Sequence, residues 1–126
     1  GITAAGATAL GVGLAACANL QELGVSKNPL GAGFPKMLAG LGASLVILDA
    51  TETGLDDPGA AAAAASLRRW GALRSLRLGG NPDIGALGVE AVARALLGAP
   101  SVKLADLQGA NDEGEWPRLK RVLQDG

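Results

Sequence analysis

Two acidic pairs, Asp56–Asp57 and Asp112–Glu113, one cysteine, Cys17, and the run "GVGLAA" over residues 11–16 are the parts of this sequence with the types and spacing for chemistry. General acid–base work needs two carboxylates converging in a pocket. Each acidic pair instead follows a strand-like stretch and precedes a helical one, where acids cap helix N-termini and complement the helix dipole. Capping is therefore the role expected of both. A cysteine nucleophile needs a base beside it, and the chain contains no histidine, the commonest general base and metal ligand. Cys17 is expected to be a small buried thiol. The GxGxxA run would hold a dinucleotide only with a strand before it and a helix starting at it. Here it falls inside a helical segment phased by Gly6, Leu10 and Leu14. The chain has no phosphate-binding loop motif, no CxxC and no HExxH. No catalytic residue, metal or cofactor is expected, and the chain is read as a non-enzyme.

Composition narrows the partners. Eleven basic and twelve acidic residues leave a net charge of −1, whereas phosphate binding needs a cationic field, so nucleic acid and polybasic membrane contact are not expected. A single cysteine forbids an internal disulfide and favours an intracellular setting, cytoplasm or organelle interior. Residues 1–21 carry no charge and have the length of a membrane span. They are mostly alanine, glycine and threonine, so no direct span is expected. Aromatics are limited to Phe34, Trp70 and Trp116. Packing must therefore rest on leucine and alanine, with close approach of backbones.

The elements that would position any site emerge from self-similarity. The stretches "LQELGVSKN", "LVILDATET", "LRSLRLGGN" and "VKLADLQGA" begin at Leu20, Leu45, Leu73 and Val102, spaced 25, 28 and 29 residues apart. Each carries apolar or small residues at places 1, 4 and 6. The segments between them repeat as well. Gly6, Gly59 and Gly88 are each followed by apolar residues at offsets 4, 8 and 14, and Gly33 by Met37, Leu41 and Leu45 at offsets 4, 8 and 12. Offsets of four lie on one helix face, so each intervening segment is predicted to be an amphipathic helix. In "GVEAVARALL", Val89, Val92, Ala93 and Leu96 face inward and the Glu90–Arg94 pair outward.

With LxxLxLxxN and a phased helix in four copies, the chain resembles the leucine-rich repeat family, in its ribonuclease-inhibitor-like class. The resemblance runs from Ile2 to about Asn111. It implies an α/β solenoid: a horseshoe arc with parallel strands on the concave face and α-helices on the convex face. Residues 1–126 are expected to form one such domain, with strands near 20–25, 45–50, 73–78 and 102–107. A closing helix is expected at about 116–124, with Pro117 in its first turn and Trp116 plugging the end of the core. The family's asparagine ladder is matched by Asn28 and Asn81. Thr53 is a shorter substitute, Ala110 departs and Asn111 falls one place late, so irregularity is expected at the second and fourth repeats. "NPDI" carries one extra residue before its apolar position. Gly1 enters in the helical half of a repeat, and the N-terminal edge is expected to be covered by further repeats or a neighbouring subunit.

The family binds on its concave face, whose outward places are readable. Place 5 runs Gly24, Asp49, Arg77, Asp106, an alternating charge row across strands about 4.8 Å apart. Place 3 runs Glu22, Ile47, Ser75, Leu104, and place 2 runs Gln21, Val46, Arg74, Lys103. Val46, Ile47 and Leu104 would thus be apolar side chains on an outer surface. Arg68, Arg69, Trp70 and Arg74 form a second candidate surface, since arginine and tryptophan are favoured at interface hot spots, with Trp70 expected slightly more to fill the helix-to-strand corner. The candidate contact residues are Val46, Ile47, Asp49, Arg68, Arg69, Trp70, Arg74, Arg77, Leu104 and Asp106. The expected function is a non-catalytic protein–protein interaction module using the concave strand face and adjacent loops. Two alternatives are an accessory structural subunit of a large multiprotein complex, organellar ones included, and a GTPase-activating-type regulator of a small GTPase. The last rests on a shared repeat class alone, because no residue carries over.

Overall fold

The computed structural model describes Gly6, Gly13 and residues 19–109. Cys17, the GVGLAA run, the Asp112–Glu113 pair, Asn111 and the closing helix with Trp116 and Pro117 lie outside the described residues. Within them, four short strands alternate with helices: β1 (Glu22–Gly24), α1 (Phe34–Leu38, led by a 3-10 turn over Gly31–Gly33), β2 (Ile47–Asp49), α2 (Asp57–Ser66), β3 (Ser75–Arg77), α3 (Ala86–Leu97) and β4 (Leu104–Asp106). The strands form one all-parallel sheet in the order β1-β2-β3-β4. Crossovers between parallel strands keep one hand. An unbroken sequential order therefore carries the helices to one side of the sheet, where neighbouring helices pack together.

Each strand occupies places 3 to 5 of its nine-residue stretch, and the register is strict: Leu23, Leu48, Leu76 and Ala105 are lateral neighbours. Backbone bonds repeat beyond the strands. The place-6 amides of Val25, Ala50 and Leu78 donate to the place-5 carbonyls of Asp49, Arg77 and Asp106 at 2.8–2.9 Å. The place-8 amides of Lys27, Glu52 and Gly80 donate to the place-7 carbonyls of Thr51, Gly79 and Gln108. Place 8 is left-handed in all four copies, with φ of 62° at Lys27, 55° at Glu52, 67° at Gly80 and 95° at Gly109. Two of these are not glycine, so the turn is imposed by the bonds around it against the steric preference of an L residue.

The core lies between sheet and helices. Leu45, Leu48, Leu55, Leu73, Leu76, Leu78 and Ile84 from the strand side meet Phe34, Met37, Ala60, Ala63, Leu67, Val89 and Val92 from the helix side, all buried. Leu76→Ala would empty space that neighbouring rungs cannot refill and should cost about 2–5 kcal/mol. A lowered urea midpoint with an unchanged slope checks it. The extra residue of "NPDI" is absorbed in the turn, and Ile84 is as buried as Leu30 and Leu55. Helix α1 is short because its segment holds fewer residues between Gly33 and the next strand.

Helix α2 ties its neighbours together. Asp56 caps its own helix, accepting from the Gly59 amide at 2.9 Å. Asp57 instead caps the next helix: its Oδ1 accepts from the amides of Gly85 and Gly88 at 2.8 and 2.9 Å. Gly85, the residue before α3, has no side chain to do this itself. A Cβ on Gly88 would lie 2.5 Å from that carboxylate oxygen and 3.1 Å from the Ala60 Cβ, so glycine and alanine let the two helices close up. Asp57→Ala should cost about 1 kcal/mol and Asp57→Asn should recover most of it, as read by thermal melting.

Candidate functional site

Among the described residues, one face of the sheet has no helix over it. Its outward places are 3 and 5, where Glu22, Gly24, Arg77 and Leu104 are exposed and Ile47, Asp49, Ser75 and Asp106 half-buried. Strand pairing fixes two rows across this face. Ile47, Ser75 and Leu104 are lateral neighbours, as are Asp49, Arg77 and Asp106. Leu104 retains 42% of its surface.

The charge row is in register but does not neutralise itself. The ion pair formed among the described residues is Arg94–Glu90, on α3. Asp49 turns back to its own loop, where its Oδ1 accepts from the Thr51 amide at 3.0 Å and the Thr51 hydroxyl at 2.6 Å. Asp106 does the same with the Gln108 amide at 2.9 Å. Arg77, between them, is exposed and forms no ion pair among the described residues.

The remaining candidate residues are distributed differently. Val46 is half-buried and its carbonyl accepts from the Arg74 and Ser75 amides at 2.8 and 3.1 Å. Arg74 and Arg68 are exposed. Arg69 reaches back to the preceding helix: its guanidinium donates to the carbonyls of Leu38 and Leu41 at 3.3 and 3.5 Å and to the Ser66 hydroxyl at 3.2 Å. It thus complements the negative end of α1. Trp70 is 1% exposed and belongs to the core, the corner-filling place expected for it, which removes it from the candidate contact residues. Helix α2 ends at Ser66, the chain turns over residues 67–69, and the Leu73 amide bonds the Trp70 carbonyl at 3.0 Å, which swings the indole inward. Of the four candidate residues in this segment, Arg68, Arg69 and Arg74 are exposed and Trp70 is not.

The asparagine positions hold the turns under this face. Asn81 is fully buried. Its Oδ1 accepts from the amides of Thr53 and Leu55 at 2.9 and 3.1 Å, in the previous rung. Its Nδ2 donates to the carbonyls of Leu78, Gly79 and Ala50. Asn28 makes the corresponding bond to the Val25 carbonyl at 2.9 Å. Thr53 corrects the expected irregularity. Its hydroxyl bonds the Ala50 carbonyl at 2.8 Å, and its backbone carbonyl accepts from the Leu30 and Gly31 amides. Hydroxyl and backbone together thus do the work of the amide side chain.

Ser75, between Ile47 and Leu104 in the place-3 row, is half-buried. Among the described residues, no group of three or more histidine, cysteine, aspartate or glutamate side chains could hold a metal ion, and no helix is long and apolar enough to cross a membrane. In comparisons with known proteins, no family model and no curated sequence matches the chain.

Proposed function

We propose that this chain is an arc of leucine-rich repeats of the ribonuclease-inhibitor-like class, and that it acts as a non-catalytic module binding a protein partner on its open strand face. The repeat assignment is supported by periodicity at three levels: apolar places in strict register, left-handed backbone at place 8 in every copy, and a side-chain bond from place 9 to the carbonyl three residues before it at Asn28, Thr53 and Asn81. Such rungs cannot bury their apolar sides alone and must stack.

The observation that carries the binding reading is the open face itself. It presents apolar Ile47 and Leu104 beside Arg77, which forms no ion pair among the described residues. A photo-crosslinking residue placed in turn at Ile47, Arg77 and Leu104, in cells of the source organism, is expected to trap one protein species. The same probe at Arg94, on the outer side of α3, should not. Equal trapping from both sides, or none from the open face, removes the reading.

A second reading, the accessory subunit of a large complex, draws on α3. Leu87 and Leu97 are 75% and 72% exposed at its two ends, apolar surface on the helix side of the sheet. Large exposed leucines are a feature of surfaces that become covered. Native mass measurement of material isolated under mild conditions separates the two. A subunit elutes in fixed stoichiometry with its complex, whereas a free module is found as a monomer.

A further inference from the structure

The charges of this chain are sorted by edge. Chain leaving a strand turns at a front edge before the next helix, and chain leaving a helix turns at a rear edge before the next strand. The rear turns, over 39–46, 67–74 and 98–103, carry Arg68, Arg69, Arg74 and Lys103 and no acid. The front turns over 50–56 and 78–85 carry Glu52, Asp56 and Asp83 and no base, although Lys27 lies in the front turn after β1. Arg69 is taken up by the end of α1. The others are left as like-charge neighbours. Asp56 and Asp83 are bridged side by side through their backbones, and both are exposed. Arg74 and Lys103 are also adjacent, with the Lys103 amide donating to the Arg74 carbonyl at 2.9 Å, and both are exposed. Asp56 caps α2 through Oδ1 and the Lys103 Nζ donates to the Pro100 carbonyl, but neither bond cancels a charge. None of these exposed groups forms an ion pair among the described residues. Like charges set side by side repel, and a surface of opposite sign relieves them.

We propose that the rear edge of one copy docks on the front edge of a second copy of this chain. Shifting a copy along its own strand direction lays rear edge on front edge, helix side on helix side. Arg68, just past the end of α2, then meets Asp56 and Asp83. Arg74, just before β3, meets Glu52, which follows β2 and leans over Gly80 in the next copy of the repeat, its Cγ 2.6 Å from where a Gly80 Cβ would be. Spacing agrees as well as sign, because both edges repeat at the distance between strands, about 4.8 Å. The helix ends add to the match, a negative C-terminus facing a positive N-terminus. The net charge of −1 decides the kind of partner. It gives no long-range pull on a polyanion and no long-range repulsion between copies. The contact is heterologous, so copies add head to tail. Exposed ion pairs are individually weak and screened by salt. Association therefore belongs to high concentration and low ionic strength, and single copies prevail on dilution. The open strand face stays clear of the contact, so this docking stands or falls separately from binding there.

Sedimentation velocity and light scattering of the purified chain test this. At about 20 mM salt the average mass should rise with protein concentration, and the association constant should fall about tenfold or more at about 500 mM. Two double variants then separate the edges. Arg68→Glu with Arg74→Glu makes both edges acidic, and Glu52→Lys with Asp83→Lys makes both basic. Each variant alone should stay monomeric, and an equimolar mixture of the two should associate again. All four positions are exposed, and circular dichroism confirms that each variant keeps the fold. The salt dependence of the parent chain needs no variant and decides the matter if one fails to fold. A parent that stays monomeric at low salt up to millimolar concentration overturns the proposal. So does association that salt leaves unchanged, a variant that associates alone as the parent does, or a mixture that remains monomeric.

Discussion

Asn81→Ala should destabilise the protein by about 3–5 kcal/mol, out of proportion to the few atoms removed. The side chain is fully buried and makes five hydrogen bonds, all to backbone groups. Removing it strands the amides of Thr53 and Leu55 away from water, and each unsatisfied buried group costs about 1–3 kcal/mol. Three carbonyls lose a donor in addition. The damage crosses rungs, because Oδ1 of Asn81 holds the turn of the previous copy. Thr53→Ala provides the comparison. Its hydroxyl makes one bond, to the Ala50 carbonyl, and its backbone carbonyl keeps its own contacts, so the loss should be about 1 kcal/mol. Urea unfolding of the two variants measures the difference. Equal losses would show that the asparagine is not the bridge between rungs.

Trp70→Ala should cost a similar amount, about 3–5 kcal/mol, through packing instead of hydrogen bonding. Trp70 is the largest of the fully buried side chains. It sits where α2 has ended and β3 is about to begin, within the buried core, so its removal leaves a cavity there. Its indole Nε1 is buried without a hydrogen-bond partner. Trp70→Phe therefore loses volume but also relieves an uncompensated polar group, and should cost only about 1–2 kcal/mol. Fluorescence in a Trp116→Phe background gives an independent check: emission from Trp70 should be blue-shifted in the native protein and move to the red on unfolding. Native emission typical of a wetted indole would contradict the burial.

The two variants also separate what periodicity can and cannot tell about such a chain. Apolar spacing identified the rungs, and every residue expected at the inner strand places, from Leu48 to Leu107, is buried or partly buried. Side-chain parity in a strand is strict, so the outward rows followed from the same count. Trp70 escaped this logic because it lies in a turn, where no period assigns a face. Its type and its arginine neighbours fitted a contact surface as well as a corner plug, and the structure buries it.

Electrostatics divided in the same way. The sequence placed Asp49, Arg77 and Asp106 side by side, and pairing among them was a natural outcome. Local geometry prevailed, because an aspartate two residues before a free amide bonds that amide at little entropic cost. Arg69 and Asp57 went the other way, each reaching a helix end in a different copy. No motif within one copy foretells such links.

The amino-acid order alone established the spacing of the four strand-bearing stretches, the inner and outer parity of each strand and the absence of histidine, because these depend on spacing and type along one chain. The left-handed place 8, the carbonyl of Thr53 standing in for an amide, the capping of one helix by another's carboxylate and the freedom of Arg77 had to await packing. Each depends on which backbone groups of a neighbouring rung come within hydrogen-bond reach, a distance that no single stretch of sequence contains.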